Sequence, residues 1–172
     1  MPRVLIVSDS HGMTKELEMI KTEHTDQVDH MIHCGDSELP YADEPIQGFS
    51  RVAGNCDYDP DYPDDLTVDV NDLRFFVAHG HMHHVKMTLD PITYRASEDN
   101  AQIVCHGHSH FAQATEIGDQ LVINPGSIRM PRGRREETYA ILEWDDDKNA
   151  TVRFYRLNGD EVKDLARDLK LR

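Results

Sequence analysis

Short apolar runs, each closed by Gly, Asp or Asn, recur along this chain. The runs Arg3–Ser8, His30–His33, Ser50–Ala53, Leu73–Ala78 and Gln102–Cys105 are too short for helices and predict buried strands. Two further pairs predict hairpins. Ala114–Ile117 and Gln120–Ile123 flank Gly118-Asp119, which suits a two-residue turn, and Thr138–Trp144 and Thr151–Leu157 flank the polar stretch Asp145–Asn149. Helical periodicity is rarer. Thr14 is placed to cap a helix through about His24 with Leu17 and Ile20 inward, and Asp90–Asn100 predicts a second helix with Pro91 in its first turn. Val162, Leu165 and Leu169, three and four residues apart, predict an amphipathic tail helix over Asp160–Leu171. Strands outnumber helices, so the expected architecture is α/β (α+β-like), with two packed sheets and helices outside. No repeat, linker or low-complexity tract divides the chain, and 172 residues suit one domain over residues 1–172, large enough to need no disulfides.

The residues that close each apolar run add chemistry to this pattern. The five predicted strands run in turn into Asp9-Ser10-His11, Gly35-Asp36, Gly54-Asn55-Cys56-Asp57, His79-Gly80-His81 and Gly107-His108-Ser109-His110. Ends of neighbouring strands in an α/β sheet converge on one crevice, so these residues predict one cluster. Asp9 and His11 are two apart, as are His108 and His110, and in an extended chain each pair faces one way. The candidate ligands are Asp9, His11, Asp36, Asn55, His79, His108 and His110. Oxygen and imidazole donors without thiolate suit Mn²⁺, Fe²⁺, Zn²⁺ or Ni²⁺. The set exceeds what one ion needs, whereas two ions sharing a carboxylate would use all of it. Each piece alone has a plainer reading: DxH is often incidental, GD is a routine turn, GNCD can be a loop, and GHSH can be a mononuclear site or surface histidines. The order and strand-end placement of all five give the signal its specificity.

Charge narrows the partners. With 18 Lys+Arg against 32 Asp+Glu the formal net charge is −14, which disfavours binding along bare nucleic-acid backbone or on anionic lipid. Two divalent ions would outweigh two Asp ligands and a hydroxide, leaving a locally positive site for a small anionic substrate. Cys34, Cys56 and Cys105 are odd in number and far apart, without a CxxC, so a disulfide framework or a Cys-based zinc finger is not expected. The apolar stretch Val4–Val7 is too short for a signal-peptide core, and no downstream stretch is long enough to span a membrane. A cytoplasmic location is the expectation.

With those residues in view, the sequence resembles the calcineurin-like metallophosphoesterase superfamily. Its ordered pattern is DxH, GD, GNH followed by Asp or Glu, an isolated His, and GHxH. The short length, the Cys in Gly54-Asn55-Cys56-Asp57, and Asn124-Pro125-Gly126-Ser127 look like the small YfcE-like phosphodiesterase branch, with the match spanning residues 3 to 127. The resemblance implies a four-layer sandwich with two mixed sheets. It also implies that Asp9, His11, Asp36 and His110 hold one ion while Asp36, Asn55, His79 and His108 hold the other, Asp36 bridging. The implied reaction is phosphoester hydrolysis by in-line attack of a hydroxide bridging two divalent metal ions, Mn²⁺ foremost. The implied substrate is a small-molecule phosphodiester. Small members of the family often self-associate, so a homo-oligomer is expected. Asn55, Cys56 and Asp57 are the candidate catalytic residues. In the wider superfamily a His in place of Cys56 is proposed to protonate the leaving group, and a thiol is the poorer acid. This predicts a preference for diesters with good leaving groups, or for leaving oxygens neutralised by the metal itself.

Other features have competing readings. His81 can substitute as the acid, although a solvent-facing role is favoured. His83 and His84 read as rim loop residues, and His33 and His106 as structurally satisfied. Asp57 either orients the neighbouring ligand loop or serves a turn. The acidic stretch Asp57–Asp65 reads first as a solvated loop stiffened by Pro60 and Pro63, and otherwise as a screen of the site's mouth against polyanionic substrates. Arg129, Arg132, Arg134 and Arg135 form the only basic cluster. It reads first as a mobile charged loop, and otherwise as a receiver of substrate phosphate or of an acidic patch on a second subunit. Competing functions are a phosphomonoesterase and a non-catalytic metal-binding scaffold on the same fold, such as the retromer scaffold subunit, which resembles this family. Scaffolds of that kind lose ligand residues, and here every ligand-type position is filled. A metal-dependent amidohydrolase fits less well, because its barrel needs about 250 residues. A serine hydrolase lacks its GxSxG.

Overall fold

The computed structural model describes residues Met1–Arg172. In chain order the elements are β1 (Arg3–Val7), α1 (Lys15–His24), β2 (His30–His33), β3 (Ser50–Arg51), β4 (Asp65–Val70), β5 (Leu73–Ala78), α2 (Asp90–Glu98), β6 (Ile103–Cys105), β7 (Gln113–Ile117), β8 (Gln120–Asn124), β9 (Thr138–Trp144), β10 (Asn149–Arg156) and β11 (Arg167–Lys170). They form two mixed sheets, ordered β11-β10-β9-β1-β2-β3 and β4-β5-β6-β8-β7.

The two-residue period of each strand sorts side chains into three cores. Val4 and Ile6 of β1, Phe75 and Val77 of β5, Ile103 and Cys105 of β6, and Ala140, Leu142 and Trp144 of β9 fill the space between the sheets. The alternate residues of these strands face outward. Leu5, Val7, Tyr139 and Ile141 meet Leu17 and Ile20 of α1, while Phe76, Ala78, Val104 and Val122 meet Ile92 and Ala96 of α2. The result is a helix–sheet–sheet–helix sandwich, with each fully buried aliphatic or Phe side chain contributing roughly 1.5–3 kcal/mol.

Within each sheet the strands that bear candidate ligands are parallel neighbours. β1 pairs with β2 and β2 with β3, and in the other sheet β5 pairs with β6. All five therefore end on one side, at the seam between the sheets.

The structure corrects three expectations. Residues 160–171 are not helical: a 3-10 turn, Lys163–Leu165, leads into β11, which pairs antiparallel with β10. Leu171 enters the inter-sheet core and Leu169 packs against it, a two-residue spacing that outweighs the helical one once β10 offers a free edge. Asp65–Val70 is a strand, antiparallel to β5, where the alternation Leu66, Val68, Val70 lies against the core. The stretch expected as Ser50–Ala53 pairs only over Ser50–Arg51.

Candidate metal centre

Five loops bring the candidate ligands together, but not through an extended backbone. Asp9, His11, Asp36, His108 and His110 have φ of 53°, 41°, 57°, 70° and 61°, a left-handed region costly for residues with a Cβ and common at functional sites. The expected mechanism for co-facing pairs is thus corrected: each ligand loop turns sharply as it leaves its strand. Backbone bonds hold these turns. Asp9 N donates to Gly35 O (3.0 Å), His11 N to Asp36 O (2.9 Å), and Gly107 N to His79 O (3.0 Å). There is no room for larger residues at the crossings. A Cβ on Gly107 would collide with Ser8 Oγ and the Asp9 carboxylate.

Three groups of ligand atoms, within 4.8 Å of one another in each group, result: Asp9, His11 and His110; His11, Asp36 and Cys56; Asp9, Asp36 and His79. Asp36 therefore lies in the His11–Cys56 group and the His79 group, and Asp9 in the His11–His110 group and the His79 group. Asp9 and His79 are wholly buried, as nearly is Asp36.

The hydrogen bonds around this cluster aim its free atoms inward. His79 Nδ1 donates to Cys34 O (2.8 Å) and His110 Nδ1 to Met130 O (2.6 Å), while His11 Nδ1 donates to Glu38 Oε2 (3.2 Å). Each acceptor fixes the tautomer, so three Nε2 lone pairs face the cluster, as metal-ligating histidines require. The facing atoms then lack partners. Asp9 Oδ1 and His79 Nε2 are buried without a hydrogen bond. His11 Nε2 stands 3.3 Å from His110 Nε2, and His110 Nε2 stands 3.2 Å from Asp9 Oδ1. Lone pairs at such distances repel unless positive charge sits among them. Protons can supply it in part. His11 is pushed above the ordinary imidazole value by the neighbouring Asp9 carboxylate, and burial of His79, which works the other way, is outweighed by Asp36 and Asp9. Burial raises the Asp9 carboxyl, yet His11 and His110 hold it below the usual carboxylate range. Divalent cations satisfy the same donors with more charge, and the buried oxygen and imidazole set fits them.

The remaining candidates lie at the rim. His108 is half-buried, its ring 5.1 Å from that of His79, and its backbone N donates to Asp9 Oδ2 (3.1 Å). Burial depresses its imidazole to about 4, leaving it neutral as a ligand must be. Asn55 is exposed and its amide donates to Cys56 Sγ (3.6 Å), at the rim of the cluster. Cys56 N donates to Asp36 Oδ1 (2.8 Å), while its thiol, raised to about 11 by burial and by Asp36 and Glu38, borders an open cavity of about 340 Å³ walled by Glu38, Asp57, Tyr58 and Asp59. Asp57 accepts from Asp36 N (2.7 Å), Gly54 N (2.8 Å) and Glu38 N (2.8 Å). It joins the GD loop to the GNCD loop, more than a turn requires.

His81 is half-buried, its ring 5.4 Å from that of His79. His83 packs edge-on against Phe76, and His84 is exposed. His33 accepts from Gly35 N at Nδ1 and pairs with Ser10 Oγ at Nε2, and His106 Nδ1 bonds to Gly107 O. Burial depresses both to about 4, and the bonds just named hold these ring nitrogens within the protein.

Two supporting residues were given no individual role by sequence reasoning. Asn124 Nδ2 donates to Ser109 Oγ (2.9 Å) and Gly107 O (3.3 Å), and Ser127 Oγ donates to Asp9 O (2.7 Å) while accepting from Met130 N (2.8 Å). The NPGS turn thus braces the loops of Asp9 and His110. Its position directly after a strand was the available signal.

A model of the calcineurin-like phosphoesterase superfamily domain matches residues 3–147. Probable metallophosphoesterase YsnB of Bacillus subtilis is 48% identical over 162 residues, 94% of this chain and 95% of that protein. Phosphodiesterase YfcE of Escherichia coli is 29% identical over 102 residues, 55% of this chain and 52% of that protein. The crystal structure of a conserved uncharacterized protein of Streptococcus pneumoniae TIGR4, a predicted phosphoesterase, superposes with TM-score 0.94 at 32% identity over 98% of this chain and 97% of the other. Fold, ordered motifs and relatives agree: this chain belongs to the calcineurin-like phosphoesterase superfamily.

Proposed function

We propose that this chain is a phosphodiesterase that works with two divalent ions, Mn²⁺ first among the candidates and Ni²⁺, Fe²⁺ or Zn²⁺ as alternatives. The observation that carries this reading is two buried carboxylates that link the ligand groups: Asp36, with His11 and Cys56 on one side and His79 on the other, and Asp9, with His11 and His110 on one side and His79 on the other. Asp9, His11, Asp36 and His110 would hold one ion, and Asp36, Asn55, His79 and His108 the other, with Asn55 turning inward from the rim. When bound, the ions supply Lewis acidity that activates water and offsets charge on the phosphoryl oxygens during in-line displacement. The protein's part is positioning. Cys34 O, Met130 O and Glu38 orient three imidazoles, and Asp57 holds the Asp36 and Gly54 loops in register. Cys34 and Cys105 are buried free thiols and Cys56 is free as well, which fits the reducing cytoplasm. No helix is long and apolar enough to cross a membrane.

The test is hydrolysis of bis-p-nitrophenyl phosphate beside p-nitrophenyl phosphate on chelator-stripped protein. Turnover should appear only after Mn²⁺ or an alternative ion is added, and the diester should outpace the monoester. Monoester preference would overturn the substrate class, and silence with every ion would favour the scaffold.

A second expectation concerns the missing acid. Cys56 holds its proton tightly and gives it up poorly to a leaving alkoxide. Positioned general acids contribute about 10²–10⁴-fold, so Cys56→His should raise turnover of alkyl diesters by at least about tenfold and change p-nitrophenyl diesters little. Equal effects on both leaving groups would remove the missing-acid explanation.

A further inference from the structure

In a chain with 18 Lys+Arg against 32 Asp+Glu, an arginine readily finds a carboxylate. Arg134 does, with Glu136 and Asp164. Arg129 and Arg132 meet none, and both belong to the loop that is bonded to the metal centre's ligand loops. Arg129 Nη1 donates to His11 O (3.2 Å) and the Arg132 backbone N to His110 O (3.1 Å). Met130, between them, accepts the His110 Nδ1 proton. One pinned loop therefore carries two exposed arginines without a carboxylate partner: Arg129 with its guanidinium on His11 O, and Arg132 anchored by its backbone at His110 O. Arg129 spends one donor on His11 and keeps the rest of its fork free. Next to His110, the Phe111 ring is 52% exposed and lies on Gly133, where any side chain would collide with it. The cavity beside Cys56 is walled instead by Glu38, Asp57 and Asp59, which repel a second negative group from that side.

We propose that Arg129, Arg132 and Phe111 form a subsite for the part of the substrate beyond the scissile diester: a nucleoside carrying a second phosphate, its base stacked on Phe111 and its phosphate held by the two guanidiniums. Arg recognises phosphate through paired N–H groups, and exposed aromatic rings accept any base face. The subsite rests on the phosphodiesterase reading for the scissile end and names the substrate class of that site.

The experiment compares thymidine 5′-(p-nitrophenyl phosphate) with the same ester bearing a 3′-phosphate. The scissile bond and leaving group are identical, so only the second anion differs. The 3′-phosphorylated ester should have a KM lower by about tenfold or more at similar kcat, as expected for charge-assisted bonds made equally in ground and transition states. Arg132→Ala and Arg129→Gln, the latter keeping a donor for His11 O, should each shrink that preference, whereas Arg135→Ala, at a residue touching no candidate ligand, should keep it. Phe111→Ala should raise KM for both thymidine esters by a similar factor. Calorimetry of thymidine 3′,5′-bisphosphate against thymidine 5′-monophosphate, with chelator and with Mn²⁺, should show the same arginine dependence. Equal KM values in the wild type, a preference surviving Arg132→Ala and Arg129→Gln, or equal loss in Arg135→Ala would overturn the subsite. Failure of the phosphodiesterase reading has a different mark: arginine-dependent bisphosphate binding with no diester turned over.

Discussion

Asp36→Asn is expected to lower turnover of bis-p-nitrophenyl phosphate by on the order of 10³-fold and to abolish the stabilisation that Mn²⁺ confers. Asparagine keeps the shape and can still accept from Cys56 N at the Oδ1 position, a bond now 2.8 Å long, so the loops stay joined. What disappears is the negative charge shared by the His11 and His79 groups. Metal ions contribute several kcal/mol of transition-state stabilisation, and each 1.36 kcal/mol is a decade of rate. In the wild type, Mn²⁺ at about 100 times its Kd should add about 2.7 kcal/mol, a rise in Tm of roughly 5–11 °C for a chain of this size. Thermal melts with chelator and with Mn²⁺, run on both proteins, check this. An equal Mn²⁺-induced rise in the variant would mean that Asp36 is not the shared ligand.

The parts of this molecule that were legible in its sequence are those set by local pattern. Val4 and Ile6 against Leu5 and Val7, or Phe75 and Val77 against Phe76 and Ala78, announce strands buried on both faces, and the structure sorts them accordingly. Strand-end placement of Asp9, Asp36, His79 and His110 likewise foretold a cluster, because parallel neighbours in each sheet must end together. The tail misled because Val162, Leu165 and Leu169 satisfy a helical period while Leu169 and Leu171 satisfy a strand period, and only the open edge of β10 decides between them. β4 was overlooked because its alternation begins inside an acidic run that reads as loop. Least legible were the left-handed turns at Asp9, His11, His108 and His110. No glycine marks those positions themselves, and their cost is offset by bonds to residues about 100 positions away, such as Ser127 Oγ on Asp9 O and His108 N on Asp9 Oδ2.

Gly54→Ala tests that reliance on close crossing of loops. Gly54 needs no left-handed φ, so alanine is acceptable to its own backbone, and the difficulty is space. A Cβ there would lie 2.6 Å from Asp36 N and would strike the Asp36 carboxylate. The carboxylate cannot swing away freely, because Cys56 N holds Oδ1 and His79 Nε2 stands 3.1 Å from Oδ2. The backbone of the Asp36 loop must move instead, against the bonds from Asp36 N and Glu38 N to Asp57. Overpacking of this kind costs about 1–3 kcal/mol, which the separate inter-sheet core can absorb without unfolding. A displacement of about 1 Å at reacting groups costs about 10²-fold in rate. The variant should therefore stay folded by circular dichroism, melt a few degrees lower, bind Mn²⁺ more weakly and lose at least about 10²-fold in kcat. Gly54→Ser should behave alike, since the added atom is again a Cβ. Wild-type turnover in Gly54→Ala would show that the Asp36 loop can shift without disturbing the centre, and would move the site's geometric demand away from the GD–GNCD crossing.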